Sequence, residues 1–170
     1  KNGVYFDQDN DGLAEKTGWV LPTDGILALD LNGDGLITNG GELFGNHTLL
    51  KDGTFAKNGF EALAQYDDNG DGVIDFKDLI YASLLMWQDF DQNGISTANE
   101  LATLASLGIT KIYLKNLDAS ELKQQNIIGG LGTFEKQDGS IGTIGQIWFE
   151  KNDGNSVELD MLEISPDIKL

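Results

Sequence analysis

The spacing of apolar residues along the chain changes character near Gly108. Before it, short apolar stripes recur at helical intervals between acidic, glycine-rich stretches. Phe60, Leu63 and Ala64 form one such stripe, Phe76, Leu79, Ile80, Leu84 and Trp87 a second, and Leu101, Leu104 and Ala105 a third. Thr97 with Glu100 reads as a capping box at the start of the third helix, and Gly108 as its end. After Gly108 the period drops to two. Ile112 and Leu114 alternate with Tyr113 and Lys115, Ile144, Gln146 and Trp148 with Ile147 and Phe149, and Val157, Leu159 and Met161 with Glu158 and Asp160. QDGS at Gln137–Ser140 and NDGN at Asn152–Asn155 supply hairpin turns. The pattern predicts an α+β module over 1–170: a helical half, 1–108, with calcium loops, packed against antiparallel β-hairpins in a β-rich half, 109–170.

Composition narrows the chemistry. The chain has 170 residues with 28 acids against 11 bases, a formal charge of −17. Such a surface offers no basic face for nucleic-acid phosphate or anionic lipid. No cysteine is present, which excludes disulfides and thiolate metal sites, and a single histidine, His47, makes zinc and histidine-triad chemistry poor prospects. His47 reads as a polar surface residue. No apolar run approaches membrane-spanning length and the first residues do not read as a signal peptide. The abrupt start reads as that of a piece of a larger polypeptide, and a monomer is expected.

The acids are not spread evenly. Four segments repeat one motif: DQDNDG from Asp7, DLNGDG from Asp30, DDNGDG from Asp67 and DFDQNG from Asp89. A hard cation such as Ca²⁺ takes about six to eight oxygens, and an EF-hand loop supplies them at positions 1, 3 and 5, the carbonyl of 7, position 9 and a closing acid at 12, with glycine at 6 for the turn. Two loops fill this template: Asp67, Asn69, Asp71, the Val73 carbonyl, Asp75 and Asp78, and Asp89, Asp91, Asn93, the Ile95 carbonyl, Thr97 and Glu100. A third offers Asp30, Asn32, Asp34, the Leu36 carbonyl, Thr38 and, one residue late, Glu42. The fourth offers Asp7, Asp9, Asp11 and the Leu13 carbonyl, with Glu15 available but no closing acid. Asp-Gly and Asn-Gly pairs also mark plain turns, a reading that one match would leave open and two complete ones do not. Two calcium sites are therefore expected, and up to four. Only one helix fits between the Asp67 and Asp89 loops, which sets those sites about 15–20 Å apart at about 1.5 Å per residue and disfavours a calmodulin-like pair.

Three longer phrases carry a family resemblance. GWVLPTDGILALDLNGDGLITNGGELFGN, LKDGTFAKNGFEALAQYDDNGDGVID and WQDFDQNGISTANELATLASLGI resemble the self-processing module of repeat-in-toxin (RTX) proteins, from Gly3 to Trp148. The resemblance implies secretion through a type I system into millimolar calcium and folding on calcium. It also implies cleavage of an Asp-Pro bond at the module's N-terminal edge, with coupling of the freed aspartyl end to a lysine amine. The two prolines of this chain follow Leu21 and Ser165, so it holds no Asp-Pro bond, and no catalytic residue is assigned within it. The glycine-rich nonapeptide repeats of a β-roll are absent too. A non-catalytic calcium module of a secreted protein or adhesin is the alternative. Dockerins repeat similar loops but are shorter and lack a β-rich half.

Overall fold

The computed structural model describes residues 3–115, 131–148 and 160–169. NDGN, Phe149, Val157 and Leu159 lie outside the described residues. The fold is mostly β. Strands β1 (Val4–Phe6) and β2 (Glu15–Thr17) form an antiparallel ribbon. The other eight are β3 (Gly25–Leu29), β4 (Val73–Ile74), β5 (Leu84–Trp87), β6 (Leu101–Thr103), β7 (Ile109–Tyr113), β8 (Leu131–Lys136), β9 (Ile141–Trp148) and β10 (Asp160–Lys169). They make one antiparallel sheet in the order β4-β7-β8-β9-β10-β3-β5-β6. An isolated antiparallel bridge joins Leu49 and Phe55. Among the described residues the only α-helix is α1, Gly59–Ala64.

The expected helical half is thus corrected. The stripe from Phe76 to Trp87 is a 3-10 turn, Leu79–Ala82, followed by strand β5. Phe76 and Leu79 are 78% and 88% exposed rather than core. The third stripe is strand β6 followed by a 3-10 turn, Ala105–Leu107, which Gly108 ends at φ 73°. Thr97 and Glu100 open only a 3-10 turn, Ala98–Glu100. Among the described residues the helices expected to follow the Asp67 and Asp89 loops are therefore missing. So is the single helix that was to separate the Asp67 and Asp89 loops, and the spacing derived from it falls with it.

The physical reason lies in β3 and β5. Leu27 and Leu29 face one core with Phe44, Phe60, Leu63 and Phe134, whereas Ile26 and Ala28 face another with Val4, Phe6, Ile37 and Leu43. In β5, Leu84 and Met86 join the first core and Trp87 the second, where Leu85 packs against it. Side chains alternate faces along a strand. With both faces buried the sequence shows a continuous apolar run, which periodicity cannot tell from a helix.

Where one face dominates, the expectation and the structure agree more closely. In α1 the Asn58 side chain caps the helix by accepting the Glu61 N–H at 2.8 Å, and Gly59 N–H reaches Gln146 Oε1 on β9 at 2.9 Å. Phe60, Ala62 and Leu63 are its buried residues, and Ala64 is exposed. QDGS turns β8 into β9, with Asp138 Oδ1 accepting the Ser140 N–H at 2.9 Å. In β10 the register slips between Ser165 and Lys169, around Pro166, which has no N–H to give the ladder.

Candidate metal centre

All four acidic loops share one hydrogen-bonded skeleton. The opening aspartate accepts the sixth-position glycine N–H: Asp7 from Gly12 at 2.9 Å, Asp30 from Gly35 at 2.8 Å, Asp67 from Gly72 at 2.9 Å and Asp89 from Gly94 at 2.8 Å. Its other oxygen accepts an N–H one or two residues earlier, from Asp11, Gly33, Gly70 or Asn93. The fifth-position side chain then holds the next N–H but one, as in Asp34 to Leu36 at 2.8 Å and Asp71 to Val73 at 3.0 Å. The sixth glycines sit at φ between 74° and 92°, where a Cβ is disfavoured. The fourth positions are left-handed as well: Asn10, Gly33, Gly70 and Gln92, at φ from 56° to 74°. This ring of inward amides curls the backbone into a cradle.

The closing acids act alike. Glu42 accepts N–H groups of Leu31 (3.2 Å) and Thr38 (2.8 Å), Asp78 those of Asp68 (2.8 Å) and Asp75 (3.0 Å), and Glu100 those of Phe90 (3.1 Å) and Thr97 (3.2 Å). Each therefore ties the start of its loop to its end. Glu42 makes this tie although it arrives one residue late. All three are buried.

Convergence differs between loops. Asp7, Asp9, Asp11 and Glu15 can bring oxygens within 4.8 Å of one another, as can Asp30, Asp34 and Glu42, and Asp89, Asp91 and Glu100. Among the described residues no such trio of acids forms in the Asp67 loop. That loop closes with an aspartate, one methylene shorter than the glutamates of the Asp30 and Asp89 loops. All donors offered are hard oxygens, the set that suits calcium or magnesium rather than softer metals. The burden of like charge is visible at Asp91. Desolvation, then its hydrogen bond with Asp89 and the charge of Glu100, hold its carboxyl above the ordinary value.

The loops also differ in what they lean on. Those at Asp7, Asp30 and Asp89 surround the second core, in which Phe6, Trp19 and Trp87 meet at centroid distances of 5.3–5.6 Å. Gly40 N–H donates to the Asp7 carbonyl at 2.7 Å, and a Cβ on Gly40 would overlap the Gln8 carbonyl. Gly94 packs on Val4 of β1 in the same way. The Asp67 loop instead supplies β4 at the edge of the large sheet, paired with Ile112 and Tyr113. Sequence reasoning missed three residues that shape the Asp89 loop. Trp19 Nε1 donates to Asp89 Oδ2 at 2.7 Å, Gln92 Nε2 to the Val20 carbonyl at 2.8 Å, and Ser96 bonds Ile37. Nothing in the local pattern marks them, since their partners lie 59 to 72 residues away. His47 meets Phe55 edge-on, with ring centroids 6.3 Å apart, beside a cavity that Glu42 also lines.

The sequence profile of the SPM domain family matches residues 1–150. This chain belongs to the SPM domain family. The SPM chain is also 43% identical over 164 residues, 96% of its length, to "Iron-regulated protein FrpA" of Neisseria meningitidis serogroup C. It spans 15% of that relative's length. The chain is therefore an RTX-related module, similar to a segment of a much longer protein. Among the described residues no helix is long and apolar enough to cross a membrane.

Proposed function

We propose that this SPM domain is a calcium-ordered scaffold which, within a longer secreted protein, supports cleavage of an Asp-Pro bond at the domain's N-terminal edge. The observation that supports it is the shared loop skeleton, in which backbone amides fix carboxylates that gather in three of the four loops. Asp89, Asp91, Asn93, the Ile95 carbonyl, Thr97 and Glu100 would hold one ion; Asp30, Asn32, Asp34, the Leu36 carbonyl, Thr38 and Glu42 a second. Asp7, Asp9, Asp11, the Leu13 carbonyl and Glu15 would hold a third. Asp67, Asn69, Asp71, the Val73 carbonyl, Asp75 and Asp78 form the weakest site, because those acids are not gathered. Calcium supplies the positive charge that these acids repel one another without, so its binding energy becomes folding energy.

The cleavage chemistry itself is simple. An aspartate carboxylate attacks its own peptide carbonyl, the C–N bond to proline breaks, the proline nitrogen takes up a proton and a cyclic anhydride remains. The scaffold's contribution would be orientation. That bond is not among these 170 residues; the second reading is a non-catalytic calcium module of a longer protein.

Two measurements separate these statements. Calorimetric titration of the 170-residue chain with Ca²⁺ is expected to give about three ions, and Asp89→Ala to remove one of them together with the tryptophan near-ultraviolet signal change. Asp67→Ala is expected to leave that signal in place. Absence of calcium binding would overturn the scaffold. The native segment extended upstream of Lys1 is then given millimolar Ca²⁺ and its mass followed. Scission before a proline supports self-processing; an intact, calcium-loaded mass supports the structural module.

A further inference from the structure

The loops at Asp30 and Asp89 touch through one side chain. Ser96 is 4% exposed and Ile37 1% exposed. The Ile37 N–H donates to Ser96 Oγ at 2.8 Å, and Ser96 Oγ donates to the Ile37 carbonyl at 2.9 Å. A hydroxyl has one donor and two acceptor sites, so this single group serves both polar atoms of one residue. Ile37 and Ser96 occupy the same place in their loops, directly after the seventh-position residue whose carbonyl the loop template assigns to the ion, Leu36 or Ile95.

The Ile37 N–H belongs to the same planar peptide unit as the Leu36 carbonyl. In a trans peptide the two point in opposite directions. Fixing the N–H on Ser96 therefore fixes the direction of the Leu36 carbonyl, the oxygen that the loop template gives to the ion. The next peptide unit is held in the same way: its Ile37 carbonyl accepts from Ser96, and its Thr38 N–H donates to Glu42 Oε2 at 2.8 Å. A continuous hydrogen-bonded line thus runs from the Asp89 loop, through two peptide planes, to the closing acid of the Asp30 loop. We propose that Ser96 is a positioning residue for the ion in the Asp30 loop, contributed by the neighbouring loop, and that it couples occupancy of the two sites. The proposal rests on the calcium reading above.

Its test needs a signal from each loop. The Gly35 and Gly94 N–H groups bond Asp30 Oδ2 and Asp89 Oδ2, so their amide resonances report the two sites separately. The Gly142 amide, on β9, reports the fold. The calcium-saturated ¹⁵N-labelled chain is stepped down through buffered Ca²⁺. In the parent, Gly35 and Gly94 are expected to leave their saturated positions together. In Ser96→Ala, Gly35 is expected to leave at about five- to tenfold higher Ca²⁺, ahead of Gly94, with Gly142 unmoved, a coupling of ordinary size. Ser96→Thr keeps the hydroxyl and is expected to restore parent behaviour. An unchanged Gly35 midpoint overturns the proposal. So does a shift of all three amides together, which would mean only a weakened fold. Should Ser96→Ala not yield a dispersed spectrum, Ser96→Cys carries the same comparison, with a smaller lag expected from its weak hydrogen bonding. If Gly35 and Gly94 in the parent ignore Ca²⁺ altogether, the calcium reading falls first.

Discussion

The Asp30 and Asp67 loops begin almost identically, DLNGDG and DDNGDG, and share the same amide cradle, yet one gathers a trio of acids and the other does not. Two things separate them. The first is reach, glutamate against aspartate at the closing position. The second is surroundings. The Asp30 loop sits with its Asp7 and Asp89 neighbours around a shared aromatic core, while the Asp67 loop is a sheet edge. A loop motif specifies the local curl of the backbone; whether carboxylates meet is decided by what the loop is anchored to.

That contrast can be broken most severely at its centre. Trp87 is fully buried in the core that the three loops share with β3, so Trp87→Ala should cost about 3–5 kcal/mol in urea unfolding and abolish the calcium response of the three loops together. Gly40→Ala attacks the seam between the Asp7 and Asp30 loops, where a Cβ overlaps backbone; about 2–3 kcal/mol is expected, with the Asp67 loop unaffected by amide shifts. Asp78→Glu sharpens the comparison from the other side. Lengthening the closing acid should raise calcium affinity at the Asp67 loop about tenfold, near 1.4 kcal/mol, by calorimetry. The smallest effect is expected at Phe76, which is 78% exposed: Phe76→Ser should stay within about 0.5 kcal/mol of the parent in the same urea experiment. A large loss there would restore the helical core that the apolar spacing suggested.

The loop cradles and the QDGS turn were legible because their causes are local. Asp, Asn and Gly at fixed offsets dictate the cradle, and QDGS dictates its turn. The strands β3 and β5 were not, because GILAL and LLMW are apolar on both faces and carry no period. What they lie between is settled by residues far along the chain. The same holds for the site. The acids could be read from spacing, but Trp19, Gln92 and Ser96 act across the fold, and a tryptophan or serine carries no mark of a distant partner.

The strand order has a consequence for timing. β10, the last described stretch of the chain, lies inside the sheet, with β9 on one side and β3 on the other. Until residues 160–169 arrive, β4-β7-β8-β9 and β3-β5-β6 are two separate sheets with open edges. Assembly must wait for a contact between Glu163 and Ile26, about four-fifths of the chain apart, and closing so long a loop is slow. A chain emerging from its amino end would hold its loops and both half-sheets before it held the strand that joins them, and that strand lies beyond the residues matched by the SPM profile.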